Sequence, residues 1–180
     1  MAGRRPHSRR NESAARNQRL RTETPIVIGV ISDTHGLLRP EALLALRGSE
    51  HIIHAGDVGA PEILEELANL APLTAIGGNV DKRPWACKLA ENEVIEIAGI
   101  SIYVVHDLAQ LELKPEAAGF QVVISGHSHI PKQEMRNGVL YFNPGSAGPR
   151  RFKLPLTVGR LIVERGSVRG EIIPIADGRS

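Results

Sequence analysis

The sequence predicts an α/β fold in which sheets pack face to face with helices on the outside. Three observations predict it. Short, β-branched apolar runs recur along the chain, and most end in a turn that carries Gly with Asp, Asn or His. Between Pro25 and Ile76 these runs alternate with amphipathic segments of helix length. Beyond Asp81 strands dominate, punctuated by Gly and Pro. A chain of 180 residues, 42% hydrophobic, is the size of one compact domain with a full core, and it contains no internal repeat.

Ile26 to Ile31 (IVIGVI) reads as a buried strand, being short, apolar and β-branched. Arg39 to Arg47 reads as a helix, with Pro40 in its first turn, Glu41 behind it and leucines at helical spacing. His51 to His54 is a second strand, with His51 on its outer side, ending at the turn Ala55-Gly56-Asp57. Pro61 to Leu70 is a second helix whose apolar stripe is Ile63, Leu64, Leu67 and Leu70. Leu73 to Ile76 is a third strand, stopped by Gly77-Gly78. Glu93 to Ile97 alternates charged and apolar residues as a half-exposed strand does, and Gly99 separates it from a strand over Ile100 to Val105. Leu108 to Phe120 reads as helical with a break at Pro115, and Gln121 to Ile124 as another buried strand. Gly138 to Ile175 offers several short strands.

Composition excludes several classes of function. No apolar run is long enough to cross a bilayer. The single cysteine, Cys87, rules out an internal disulfide framework and a thiolate-rich zinc site, and makes a reducing, cytoplasmic setting the expectation. Aromatic residues amount to 3%, too few for base-stacking platforms to be the main device. Met1 to Thr24 carries seven arginines against two glutamates, a net of +5, which leaves −3 on the rest of a chain whose total is +2. Residues 1–24 therefore read as a basic, disordered tail ahead of a single domain over residues 25–180. No secretory signal precedes Ile26; a transit peptide, a tether for anionic partners such as nucleic acid, and a plain solvated extension are the alternatives for the tail.

Seven potential metal ligands lie in turn-like islands, most of them directly after a strand. In SDTHG, Asp33 and His35 stand two apart, so both side chains face one side if the segment is extended. A carboxylate with an imidazole suits Mn, Fe, Zn or Ni better than Ca or Mg. Asp57 in AGD has two oxygens with which to bridge two cations. Asn79 in GGNVD offers a neutral amide oxygen, which keeps the site's negative charge low enough to attract a phosphate. His106 in VVHD, and His127 with His129 in SGHSH, supply imidazoles. Each island alone has an ordinary alternative: a capping Asp, an Asp-Gly or Asn turn, a surface histidine pair. His54 reads as a residue orienting Asp57 or packing near it, not as a ligand.

The joint order D-x-H, G-D, G-N, H, G-H-x-H resembles the signature of the calcineurin-like metallophosphoesterase superfamily. SDTHG, IIHAGD, GNVD, SGHSHIP and FNPGSAGPRR are similar to its small bacterial and archaeal branch, the YfcE/MJ0936-type phosphodiesterases, which is related to the retromer scaffold Vps29. The resemblance covers Pro25 to about Ile173. It implies a four-layer αββα sandwich with a dimetal site at strand ends on one sheet edge. It assigns one metal to Asp33, His35, Asp57 and His129, and the second to Asp57, Asn79, His106 and His127, with Asp57, Asn79 and His106 as the catalytic set. Two divalent ions are implied, Mn(II) first, with Ni, Fe or Zn as alternatives. The implied reaction is hydrolysis of a small phosphate ester, most readily a diester, by a hydroxide that bridges the two ions. A homodimer would fit the branch, and no membrane partner is implied.

Two positions depart from the wider superfamily. Val80 stands where many members have a histidine that protonates the leaving group, so a preference for good leaving groups such as p-nitrophenolate is expected. Asp107 follows His106 where glycine is common; it would either orient the His106 ring or cap the next helix. Asp81, Lys82, Arg83, Arg150 and Arg151 are candidates for the rim of the cleft, where the cations would steer a phosphate. Asn143-Pro144-Gly145-Ser146 is expected to buttress the site. Two rival functions remain: a non-catalytic, retromer-like scaffold, and a nuclease directed to nucleic acid by the basic tail.

Overall fold

The computed structural model describes residues 24–177; the basic tail expected over residues 1–24 falls almost entirely outside them. Two five-stranded mixed sheets lie face to face. The first has the order β10-β9-β1-β2-β3, from β1 (Ile26–Ile31), β2 (His51–His54), β3 (Leu73–Ala75), β9 (Thr157–Glu164) and β10 (Ser167–Pro174). The second has the order β4-β5-β6-β8-β7, from β4 (Asn92–Ile97), β5 (Ile100–Val105), β6 (Val122–Ile124), β7 (Lys132–Arg136) and β8 (Val139–Asn143). β1, β2 and β3 run parallel, as do β5, β6 and β8.

The period-2 alternation of β1 explains the layers. Ile28 and Val30 point into an inter-sheet core with Ile53, Ile102, Val104, Ile124 and Phe142. Ile31 faces the other way, toward α1 (Pro40–Leu46) and α2 (Pro61–Ala68), where it joins Leu46, Ile63 and Leu67. Both helices start with proline at N1, as expected, and neither has a side-chain cap. α1 crosses directly over Gly29, where an added Cβ would come 2.8 Å from the Leu46 side chain.

The outer face of the second sheet carries Tyr103, Val105, Val123 and Val139 and is covered by Leu111 and Phe120. This fourth layer is thin. Where one helix broken at Pro115 was expected, the chain forms a 3₁₀ turn (Leu108–Gln110) and a single helical turn, α3 (Pro115–Ala118), ended by Gly119 in the left-handed conformation. A second 3₁₀ turn, Pro84–Lys88, was not foreseen.

The strand-rich end also differs in detail. β7 precedes the region where strands were expected: its residues KQEMR sit at a sheet edge and are mostly exposed, so no apolar alternation marks them. Its signal is the Asn137-Gly138 pair, both at positive φ, which joins it to β8 as a two-residue hairpin. β9 and β10 are eight residues each, longer than the short strands expected, and form one hairpin.

Candidate metal centre

The parallel strands deliver their following loops to one edge. Asp33 follows β1, Asp57 follows β2, Asn79 follows β3, His106 follows β5, and His127 and His129 follow β6. Four of these residues, Asp33, Asp57, His127 and His129, sit at positive φ, as does His35 beside Asp33. Non-glycine residues in that region cost of order 1 kcal/mol or more each, and such strain clusters at functional sites. The loops close over one another so tightly that a Cβ at Gly78 would overlap the Asp57 carboxylate, and one at Gly126 would lie 2.8 Å from Asp33 Oδ2.

Each carboxylate is held by one oxygen and offers the other. Asp33 Oδ2 accepts hydrogen bonds from Ser32 Oγ at 2.7 Å and the His127 amide at 3.1 Å. Its Oδ1 lies 3.2 Å from His129 Nε2 and 3.9 Å from His35 Nε2. Asp57 Oδ1 accepts from the Val80 amide at 3.0 Å, while Oδ2 lies 3.4 Å from His106 Nε2 and 3.7 Å from His35 Nε2. One oxygen of Asp57 therefore stands between histidines drawn from both sheets. His106 Nδ1 lies 2.7 Å from the Ala55 carbonyl, to which it donates, and this leaves Nε2 facing Asp57 Oδ2.

The donors form two overlapping groups. Asp33, His35 and His129 place ligand atoms within 4.8 Å of one another, and so do Asp33, Asp57 and His106. Asp33 thus faces both groups, beside Asp57. Asn79 Nδ2 lies 3.2 Å from His127 Nδ1, and the His127 ring stands edge-on to His106 at 5.4 Å. These two residues form the outer, solvent-facing wall.

The electrostatics fit a cation. Burial pushes Asp33 up to about 6, against the Ser32 hydrogen bond. Burial acts the same way on Asp57, but His106 and the Val80 amide outweigh it and hold the acid at about 2. Burial lowers His35, and burial, with the Arg151 and His35 charges, lowers His129 to about 4. Burial opposes a charge on His106, yet Asp57 and the Ala55 carbonyl raise its pKa. Among the described residues, Asp33 Oδ1 and His106 Nε2 are buried without a hydrogen-bond partner. Buried acceptors aimed at a shared space are costly unless something positive fills it. Imidazole and carboxylate donors suit a transition-metal divalent ion.

The surrounding residues fix the loops that carry the candidate donors. His54 takes the second of its two expected roles, packing near Asp57 without bonding its carboxylate: it bonds Thr34 Oγ1 at 2.9 Å and accepts from the Gly56 amide at 3.2 Å. Asp81 lines the cleft, as expected, and its carboxylate also accepts from the amides of Val58, Gly59 and Gly78, tying the Asp57 and Asn79 loops together. Asp107 caps the turn at Leu108–Gln110 by accepting from the Ala109 amide, with its carboxylate 3.7 Å from His127 Nε2. Asn143 donates to the Gly126 carbonyl and Ser146 to the Asp33 carbonyl, so the Asn-Pro-Gly-Ser turn buttresses both ligand loops as expected. Ser32, which fixes Asp33, carried no signal beyond its adjacency. A cleft of about 700 Å³ opens beside Asn79 and His106, lined also by Lys82, Tyr103, Gln110 and Glu112.

Comparison with known proteins is consistent with this geometry. Residues 26–166 match the family described as the calcineurin-like phosphoesterase superfamily domain. A probable metallophosphoesterase of Methanothermobacter thermautotrophicus is 36% identical over 160 residues, covering 82% of this chain and 92% of that protein. Phosphodiesterase MJ0936 of Methanocaldococcus jannaschii is 30% identical, covering 79% of this chain and 96% of that protein. Vacuolar Protein Sorting 29 from Cryptosporidium parvum shares the fold, with a TM-score of 0.68 at 17% identity over 86% of this chain and all of that one.

Proposed function

This chain belongs to the calcineurin-like phosphoesterase superfamily, and from that premise we propose that it is a two-metal phosphodiesterase. The observation that carries the proposal is that Asp33 Oδ1 and His106 Nε2 are buried without hydrogen-bond partners, while Asp33, Asp57 and His106 bring ligand atoms within 4.8 Å of one another. Asp33, His35, Asp57 and His129 would hold one divalent ion, and Asp57, Asn79, His106 and His127 the other, with Mn(II) favoured. When bound, such ions acidify a water toward neutrality and neutralise charge on the phosphoryl oxygens.

The chain's own residues account for the remaining features of the reaction. Hydrogen bonds from Ser32, His127 and Val80 hold the two carboxylates in single orientations, so little reorganisation accompanies the reaction. The Ala55 carbonyl keeps the His106 proton on Nδ1 and away from the reacting space. The position after Asn79 is the exposed side chain of Val80, which carries no proton to give a leaving group. Leaving groups stable as anions are therefore preferred. The cleft beside Asn79 and His106 offers room for the ester's organic arm.

The fold is shared with the Vacuolar Protein Sorting 29 structures, which keeps a scaffold role in view. Retention of all seven donors supports an enzyme instead. The proposed setting is the cytoplasm, with a small phosphate ester as substrate and a homodimer as assembly. Among the described residues no helix is long and apolar enough to cross a membrane.

The test is a metal-by-substrate matrix. Apo protein is reconstituted with Mn, Ni, Fe, Zn or Mg and assayed on aryl monoesters, aryl diesters and cyclic nucleotides. Asp57→Ala is the control, and hydrolysis that survives it would overturn the two-metal reading.

A further inference from the structure

We propose that Arg151 binds the substrate's phosphate group, and that the ion-pair chain Arg39–Asp177–Arg150 positions it to do so. The inference rests on the phosphoesterase reading for its ligand, but its geometry is independent of that reading. It concerns the segment that follows β8.

This segment is fastened to the Asp33 loop. The Ala147 amide donates to the Ser32 carbonyl at 3.2 Å, and Ser146 Oγ to the Asp33 carbonyl at 3.0 Å. Gly148 lies so close to the Asp33 and Thr34 carbonyls that any side chain there would overlap them. Arg39, at the start of α1, then reaches across the segment. Its Nε donates to the Gly148 carbonyl at 3.3 Å, and its Nη1 to the Asp177 carbonyl at 2.9 Å. The Asp177 carboxylate takes Arg39 on Oδ1 at 3.2 Å and Arg150 Nε on Oδ2 at 3.0 Å.

The two adjacent arginines are thereby given opposite fates. Arg150 is paired with Asp177 and turned toward it. Arg151 has no carboxylate partner among the described residues, and its Nη2 lies 3.3 Å from His35 Nε2. A guanidinium beside an imidazole proposed to hold a cation is repelled unless an anion lies between them. A phosphate ester supplies that anion, and the planar fork of Arg matches two phosphoryl oxygens where a point-like ammonium would not.

The test uses metal-reconstituted full-length protein and inorganic phosphate as the probe. Arg151→Gln should weaken phosphate binding by calorimetry, and raise the KM for an aryl phosphodiester, by about ten- to a hundredfold. Its metal content should equal that of the wild type, and Arg151→Lys should recover only part of the loss. Asp177→Asn should raise KM several-fold with kcat held, and Asp177→Glu should restore it. Unchanged phosphate affinity in Arg151→Gln, or a loss that tracks lost metal, would overturn the role of Arg151; an unchanged KM in Asp177→Asn would overturn the positioning chain. Wild-type protein that binds phosphate through Arg151 yet hydrolyses no ester would support the anion site and sink the proposed function alone.

Discussion

The ring of His54 is fully satisfied as a neutral imidazole by Thr34 on one nitrogen and the Gly56 amide on the other. Thr34 Oγ1 donates its own hydrogen to the Val58 carbonyl at 3.0 Å, so it accepts from His54 Nε2 at 2.9 Å. His54 Nδ1 in turn accepts from the Gly56 amide. One histidine thus ties the Thr34, Gly56 and Val58 backbones, the loops that bear Asp33 and Asp57, while touching neither carboxylate.

Protonating His54 would set a second donor against the Gly56 amide inside a fully buried space, and burial accordingly lowers its pKa to about 3. The unfolded chain binds this proton near 6.5 and the folded chain does not. His54 therefore subtracts stability as pH falls below about 6.5, by roughly 1–2 kcal/mol at pH 5. His129 acts in the same direction in metal-free protein, and Asp33, raised to about 6, acts in the opposite one between about 4 and 6. Urea unfolding of the apo protein from pH 7 to pH 5 should show falling stability, and His54→Gln should flatten the slope. An equally steep slope in that variant would refute the assignment.

Asp33 is a carboxylate kept in a place that suits a carboxylate poorly until a cation arrives. Asp33→Asn keeps an acceptor for Ser32 and the His127 amide and removes the buried charge. At pH 7 the apo variant should be more stable than apo wild type, by roughly 1–3 kcal/mol. It should also lose most of the stabilisation that Mn(II) gives the wild type. Thermal unfolding with chelator and with metal measures both effects.

Asp81, read from the sequence as a rim residue, also accepts three backbone amides from the Asp57 and Asn79 loops. Asp81→Ala should cost about 1–3 kcal/mol, because three part-buried amides lose their acceptor. Asp81→Asn should cost less. Metal affinity, read by titration, should weaken in the same order.

Val80 is exposed at the rim while its amide holds Asp57. Val80→His leaves that amide in place and adds a proton donor. The ratio of aryl to alkyl diester hydrolysis should fall by about tenfold or more, through faster alkyl turnover. A ratio unchanged from wild type would show that leaving-group protonation does not limit the reaction.

The sequence by itself determined the α/β class, the strands that precede each of these loops and the seven residues proposed as donors. Those properties are local: a β-branched run such as Ile26 to Ile31, or the two-residue spacing of His127 and His129, is visible without any partner. Weakly patterned elements were not legible, since β7 is a charged edge strand with only one face and a hairpin partner to define it. Only the tertiary structure decided what each polar residue does. Arg150 and Arg151 are neighbours of one type, and it is Asp177 at the far end of the chain that turns one away from the site and leaves the other to it. Asp81 and His54 likewise owe their roles to groups brought near by folding, the Val58 and Gly59 amides and the Thr34 hydroxyl, each twenty or more residues away. Hydrogen bonds and charges act over a few ångströms in space, whereas sequence records only distance along the chain.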